Sequence, residues 1–163
     1  MPYEVKLAKS AVPSTDEPTS IAIVVSDYND NITGKLAKAA VETLIASEIR
    51  DEDIFIVHVP GAWELVYATQ QMISRSDCRG VIALGAVIKG ETSHDQHINR
   101  AVSLGLMQLS LEHGKPIGLG LLTVNTLEQA IQRSGGNVGN KGEEAAKALL
   151  DCLKLATSLN GVR

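Results

Sequence analysis

The stretch GVIALGAVIKGETSHDQH, residues 80–97, runs from an almost unbroken apolar segment into a glycine and then into a polar helix start. An apolar run without polar alternation reads as a strand buried on both faces, and such strands belong to parallel sheets covered by helices above and below. The pattern recurs on either side. Ile21–Ser26 (IAIVVS), Ile54–Val57 (IFIV) and Ile117–Val124 read as further strands. Between them, apolar residues return at helical spacing. Leu36, Ala37, Ala40, Val41, Leu44 and Ile45 predict a helix over about 34–49, and Leu65, Val66, Thr69, Met72 and Ile73 predict a second. Ile98, Ala101, Val102, Gly105, Leu106 and Leu109 stripe a third, closed near His113, Gly114 and Pro116; Leu127, Ala130 and Ile131 mark a short fourth. A last helix carries Ala145, Leu149, Cys152, Leu153 and Ala156. This alternation predicts an α/β sandwich around a parallel sheet. Ligands in such sheets bind beyond the carboxyl ends of the strands. That directs attention to residues 27–31, 58–64, 89–97 and 123–126.

The composition narrows the function classes. In 163 residues, 44% are hydrophobic and 21% charged, which excludes a disordered chain and suits one domain. Fifteen Lys and Arg against nineteen Asp and Glu give a net charge of −4, which argues against a nucleic-acid binder. Aromatics are only 3%, too few for a base-stacking platform. No apolar run approaches a membrane span. Cys78 and Cys152 form no CxxC and read as free thiols in a reducing compartment. Residues 1–20 read as an extended arm, with Tyr3, Val5 and Leu7 alternating ahead of a polar segment holding Pro13 and Pro18. A lone strand needs a partner, so this arm predicts pairing with a neighbouring subunit's sheet. Residues 21–163 read as a single domain. The opening residues show no signal-peptide pattern, so the expected location is cytoplasmic.

Several segments carry residues suited to chemistry. Ser93 with Gln96 fits a capping box. The free amides and dipole of that helix start favour an anion. His94 falls in the first turn, where a neutral imidazole is a usable general base or proton shuttle. Glu91, His94 and His97 recur at threes, but no third clear ligand joins the two histidines and HExxH is not matched, so no metal is expected. Arg133 and Lys141 flank a glycine-rich, flexible-looking loop at 135–142 that could hold a phosphate. It is not a P-loop, and Gly118-Leu119-Gly120 does not complete GxGxxG, so no nucleotide cofactor is expected. Trp63 and Glu64, after the second strand, can stack on and hydrogen-bond a flat polar ring; Tyr28 is a similar aromatic after the first.

VPGAWE (59–64), LGAVIKGETSH (84–94), GLLTVNTLEQAIQRSGG (120–136) and GNKG (139–142) resemble the 6,7-dimethyl-8-ribityllumazine synthase family, in order and spacing, over about residues 21–155. The resemblance implies a flavodoxin-like three-layer α/β/α sandwich with a four-stranded parallel sheet. It implies a transferase of riboflavin biosynthesis that condenses 5-amino-6-(D-ribitylamino)uracil with 3,4-dihydroxy-2-butanone 4-phosphate, without metal or organic cofactor. Position by position, it makes His94 the proton-transfer residue. It makes Arg133 the grip on the substrate phosphate, helped by the backbone of Glu91 and Thr92, with Lys141 close by. Tyr28 matches the aromatic that stacks on the pyrimidine. Ala62, Trp63 and Glu64 match the ribityl contacts, with Glu64 as hydroxyl acceptor, and Ala86, Val87 and Ile88 match the backbone that reads the uracil edge. Leu119 stands where the adjacent subunit commonly supplies an aromatic, and Asp95-Gln96-His97 stands where an aromatic commonly follows the histidine.

The resemblance also implies partners: copies of the chain itself in a pentamer with the site between neighbours, the two small-molecule substrates, and riboflavin synthase. The short connection from Arg133 to Lys141 resembles members that form sixty-subunit icosahedral shells. A non-catalytic flavin- or lumazine-binding relative, or a packaging shell, would share these motifs. A flavodoxin-type electron carrier would share the sheet, but it needs a phosphate loop after the first strand, where Asp27-Tyr28-Asn29-Asp30-Asn31 is acidic.

Overall fold

A computed structural model describes residues 18–160, so most of the proposed arm lies outside the described residues. The chain runs β1 (Ser20–Ser26), α1 (Asp30–Ala46), β2 (Ile54–Val59), α2 (Leu65–Ile73), β3 (Cys78–Ile88), α3 (His94–His113), β4 (Ile117–Val124), α4 (Leu127–Arg133), β5 (Ser134–Gly136), β6 (Gly139–Asn140) and α5 (Lys141–Asn160). Four strands pair in parallel in the order β2-β1-β3-β4.

Side chains of a strand alternate between its two faces, and β1 shows this cleanly. Ile21, Ile23 and Val25 enter one core with Ile32, Leu36, Ala40 and Leu44 of α1 and Ala145, Ala146 and Leu149 of α5. Ala22 and Val24 enter the other with Leu65, Met72 and Ile73 of α2 and Val102 and Leu106 of α3. The result is the expected three-layer sandwich. Each fully buried Ile or Leu contributes about 1.5–3 kcal/mol, so the continuous apolar character of β1 and β3 is what seats them centrally.

Three local expectations change. The first helix spans Asp30–Ala46 instead of 34–49: Ile32 is buried and extends the stripe by a turn, while Glu48 at φ 66° ends it early. The capping box at Ser93 is absent, since its side chain makes no cap bond and the His94 amide turns to the Thr92 hydroxyl at 3.4 Å. A side-chain cap forms instead at α4, where the Thr126 hydroxyl accepts from the Gln129 amide at 3.2 Å and the Gln129 side chain reaches back to accept from the amide of Asn125, the residue before the cap, at 2.8 Å. The glycine-rich segment is not a flexible loop. It folds into the small antiparallel β5–β6 ribbon, tied back to α4 by bonds from the Asn137 amide to the Gln132 side chain and from the Val138 amide to the Gln132 carbonyl.

At the amino end of the sheet, Arg75 grips Asp77 through two bonds of 2.9 and 2.8 Å, which holds that carboxyl below its ordinary range. Burial pushes the Cys78 thiol up, which keeps it an inert core residue, whereas Cys152 is exposed.

Two glycines set the spacing of the α5 layer. A Cβ on Gly118 would lie 2.5 Å from the Ala145 carbonyl oxygen, so β4 touches the helix backbone directly. A Cβ on Gly142 would drive into the Leu36 carbonyl of α1. Neither neighbour is a flexible side chain that could yield. Gly142→Ala is expected to cost about 1–3 kcal/mol through overpacking, whereas Gly34→Ala, with open space around it, is expected to stabilise by about 0.5–1 kcal/mol; denaturant titration of both variants checks the contrast.

Candidate active site

The carboxyl ends of β1, β2 and β3 converge, and backbone hydrogen bonds carry the pairing beyond the strands. The Asp27 amide donates to the Val59 carbonyl at 2.8 Å and the Tyr28 amide to the Pro60 carbonyl at 3.0 Å. Asn29 adopts a left-handed backbone (φ 63°, ψ 46°) at the head of α1, and its side chain donates to the Ala86 carbonyl at 2.9 Å. Asn tolerates this conformation better than most residues. The turn after β1 is therefore fastened to both neighbouring strands, and from it the Tyr28 ring stands 72% exposed.

Around this turn lie most of the residues singled out from the sequence. Ala62 is buried in a short helical turn, and Trp63 beside it is 62% exposed. One Glu64 oxygen accepts from the Gly61 amide at 3.0 Å, which shapes the turn and leaves the second oxygen for a hydroxyl donor. Ala86 is buried, while Val87 and Ile88 are half-buried at the end of β3. Glu91, Thr92 and His94 are exposed where the chain passes from β3 into α3, and α3 packs against the Ala62–Glu64 turn. An aromatic ring, a carboxylate, a strand-end backbone and an imidazole thus share one end of the sheet. Such a set can stack on, hydrogen-bond and exchange protons with a planar heterocycle.

Arg133 and Lys141 belong to a different surface. Arg133 ends α4, and the β5–β6 ribbon carries the chain to Lys141 at the start of α5. The Asn140 side-chain oxygen caps α5, accepting from the Gly142 amide at 2.8 Å, and its nitrogen donates to the Lys35 carbonyl of α1 at 3.3 Å. Sequence reasoning missed Asn140, although an Asn before a helix is a recognisable cap signal, and missed Asn29, whose side chain caps nothing and bonds instead to a strand distant in the chain. Arg133 and Lys141 line a cavity of about 430 Å³ along edge strand β4, with Leu121, Thr123, Gln129 and Val138 among its walls. Tyr28, Trp63, Glu64, Glu91, Thr92 and His94 are not among those walls. Lys141 pairs with Glu144 at 3.1 Å, so part of its charge is offset within its own helix. Leu119, also on β4, is 45% exposed. A guanidinium above a cavity suits bidentate grip of a phosphate. Within one chain, then, the heterocycle-type groups and the anion-type groups form two separate clusters. Among the described residues, no three His, Cys, Asp or Glu side chains gather to hold a metal ion.

Comparison with known proteins agrees with the motifs. The sequence model of the 6,7-dimethyl-8-ribityllumazine synthase family matches residues 18–157. The chain is 50% identical over 154 residues to the 6,7-dimethyl-8-ribityllumazine synthase of Rhodopirellula baltica, covering 91% of this chain and 99% of the relative. It is 42% identical to the protein of that name from Bacteroides fragilis, over 85% of this chain and 96% of the relative. The Aquifex aeolicus protein of that name is 41% identical, over 89% and 94%.

The three-way fastening of the Asp27–Asn29 turn carries a structural expectation. Asn29→Ala removes the bond to Ala86 and places alanine in a left-handed conformation, which is expected to lower stability by about 1–3 kcal/mol; thermal unfolding alongside Asn29→Gly, which relieves the backbone cost alone, separates the two contributions.

Proposed function

Since the chain belongs to the 6,7-dimethyl-8-ribityllumazine synthase family, we propose that its active site is assembled from the two clusters of neighbouring copies, with Tyr28, Ala62–Glu64, Ala86–Ile88, Glu91, Thr92 and His94 from one and Leu119, Arg133 and Lys141 from the next. The enzyme catalyses the penultimate step of riboflavin biosynthesis, in which 5-amino-6-(D-ribitylamino)uracil and 3,4-dihydroxy-2-butanone 4-phosphate condense to 6,7-dimethyl-8-ribityllumazine. The observation that carries the shared site is the division itself: the cavity beside Arg133 includes none of the His94 group. A head-to-tail contact repeated around a closed ring joins one copy's edge strand to the next copy's strand ends.

A ring is supported by the surface. Trp63, Tyr67, Leu104, Met107 and Leu111 are 61–76% exposed, on the turn before α2, on α2 and on α3. A cluster of large apolar side chains left in water signals an interaction surface. The ring is a pentamer, and the tight Arg133–Lys141 connection favours closure of pentamers into a sixty-subunit shell. Light scattering that finds only a pentamer-sized particle refutes the shell. The protein works in the cytoplasm, where riboflavin synthase can take its product. No helix among the described residues is long and apolar enough to cross a membrane.

The chemistry follows from the roles. Tyr28 stacks on the pyrimidine, the backbone of Ala86–Ile88 reads its edge, and Glu64 accepts from the ribityl chain. The aromatic amine attacks the ketone and water leaves to give an imine. Phosphate, held by Arg133, departs by elimination, and the remaining carbonyl closes the ring with loss of a second water. His94 moves protons in these steps. Holding both reactants in one pocket supplies about 7–11 kcal/mol, while proton transfer supplies about 10²–10⁴-fold. Position therefore outweighs acid–base assistance.

Mixing the two substrates and following absorbance with phosphate release tests the activity directly. A protein that binds flavin or lumazine but forms none is the non-catalytic relative. His94→Ala is expected to slow turnover by no more than about 10⁴-fold and leave it measurable. Arg133→Ala is expected to raise KM for the phosphate substrate. Assayed with the phosphate substrate well below the KM of Arg133→Ala, co-expression of His94→Ala with Arg133→Ala is expected to restore about a quarter of wild-type activity, because about a quarter of random neighbour pairs then join two intact halves of a heterologous contact. Absence of any recovery in assembled mixtures contradicts a shared site.

A further inference from the structure

Asp27 and His58 form a side-chain pair at the tips of β1 and β2 that none of the roles above uses. His58 Nδ1 lies 2.7 Å from Asp27 Oδ1, and each side chain is 41% exposed. Both belong to segments that build the heterocycle cluster. Asp27 immediately precedes Tyr28. His58 immediately precedes Val59 and Pro60, whose carbonyls receive the Asp27 and Tyr28 amides. The two side chains lie on one face of the sheet, because Val25 pairs with His58 and Ser26 with Val59, which sets residue 27 two steps along from 25. The pair therefore bridges, on the outer side, the same two segments that the amide bonds bridge through the backbone.

An exposed pair of this kind adds little to stability, about 0–1 kcal/mol at most. Its value lies in geometry. The Tyr28 ring is 72% exposed and gains little orientation from packing, so its direction follows from its backbone. That backbone is pinned on the β3 side by the Asn29–Ala86 bond and on the β2 side by the two amide bonds. Among the described residues β2 is an edge strand, paired with β1 alone, and edge pairings open more readily than central ones. A side-chain tie at that point holds the turn closed.

We infer that Asp27 and His58 are a positioning pair, fixing the Tyr28 turn against the Pro60–Glu64 segment so that the aromatic platform for the pyrimidine is formed before substrate arrives. The pair touches no reacting atom. It acts through Tyr28, and it rests on the reading of Tyr28 as the stacking residue. Preorganisation of this kind raises affinity by removing an ordering cost that binding otherwise meets. The hydrogen bond needs only a ring N–H at Nδ1 and an oxygen acceptor on residue 27, so neutral replacements that keep donor and acceptor preserve the tie.

Steady-state kinetics on the assembled enzyme, with each substrate varied in turn, tests this. Wild-type turnover first establishes the reaction, so its absence condemns the functional reading without bearing on the pair. Given turnover, Asp27→Ala and His58→Ala are each expected to raise KM for the aminouracil about three- to tenfold, with kcat and KM for the phosphate substrate within twofold of wild type. The double variant is expected to be no worse than either single one, because both remove one tie. Asp27→Asn and His58→Asn, which keep an acceptor and a donor at the positions of Asp27 Oδ1 and His58 Nδ1, are expected to return KM to within twofold of wild type. An unchanged aminouracil KM in the alanine variants, additive losses in the double variant, failure of Asp27→Asn to rescue, or a fall confined to kcat each overturns the assignment. If Asp27→Ala fails to assemble, His58→Ala with His58→Asn decides by the same criteria.

Discussion

β1 hydrogen-bonds on both sides, to β2 and to β3, and the pairing does not stop at its last residue. The Asp27 and Tyr28 amides continue it along β2, and the Asn29 side chain continues it to Ala86 on β3. Whatever Tyr28, Trp63 and the end of β3 do together depends on this three-strand fastening. A parallel ladder is a good device for the purpose: its bonds are evenly spaced, so adjacent strand ends emerge at one level and present their loops to a common space. The two cores keep the ladder in place. With Ile21, Ile23 and Val25 on one side and Ala22 and Val24 on the other, sliding β1 by one residue exchanges its faces and mismatches both helical layers.

The opposite flank is governed by close backbone contact. Gly118 lets β4 rest on the α5 backbone, and Gly142 lets the start of α5 rest on α1. These contacts, with the Asn140 cap and the β5–β6 ribbon, decide where Arg133 and Lys141 lie. A guanidinium on a wandering loop would lose side-chain and backbone entropy each time it held an anion, at about 1–2 kcal/mol for each backbone residue ordered. The ribbon meets that cost at folding. The cations therefore flank a hydrogen-bonded ribbon, although the composition of the segment suggests an open loop.

The two rigid clusters divide the labour of a condensation: one suits a flat, neutral, polar ring and the other a compact dianion. On the proposed reading, distributing them over two surfaces couples catalysis to assembly, because the pocket is completed by a neighbouring copy. It also accounts for the exposed Trp63, Tyr67, Leu104, Met107 and Leu111, which an isolated chain has no reason to leave in water. With approximation of the reactants as the larger contribution, rigid placement of Tyr28 and Arg133 matters more than the strength of any one acid or base.

Reading along the chain was sufficient for the elements and their layers, because burial on both faces writes itself as uninterrupted apolar runs and burial on one helical face as a stripe. β3, β4 and α2 emerge where those patterns put them. The motifs around Trp63, His94 and Arg133 were equally visible, since chemistry restricts residue type and spacing locally. Contacts between residues far apart in the chain were not visible. Nothing near Asp27 announces His58, nothing near Asn29 announces Ala86, and the difference between the Ser93 and Thr126 caps rests on side-chain geometry that two similar S/T-x-x-Q patterns do not distinguish. Nor does order along the chain reveal that Arg133 lines a cavity whose walls do not include His94, because a strand's two edges and two faces acquire meaning only when its neighbours are in place. Local pattern determined what each segment is; tertiary packing alone decided which segments meet.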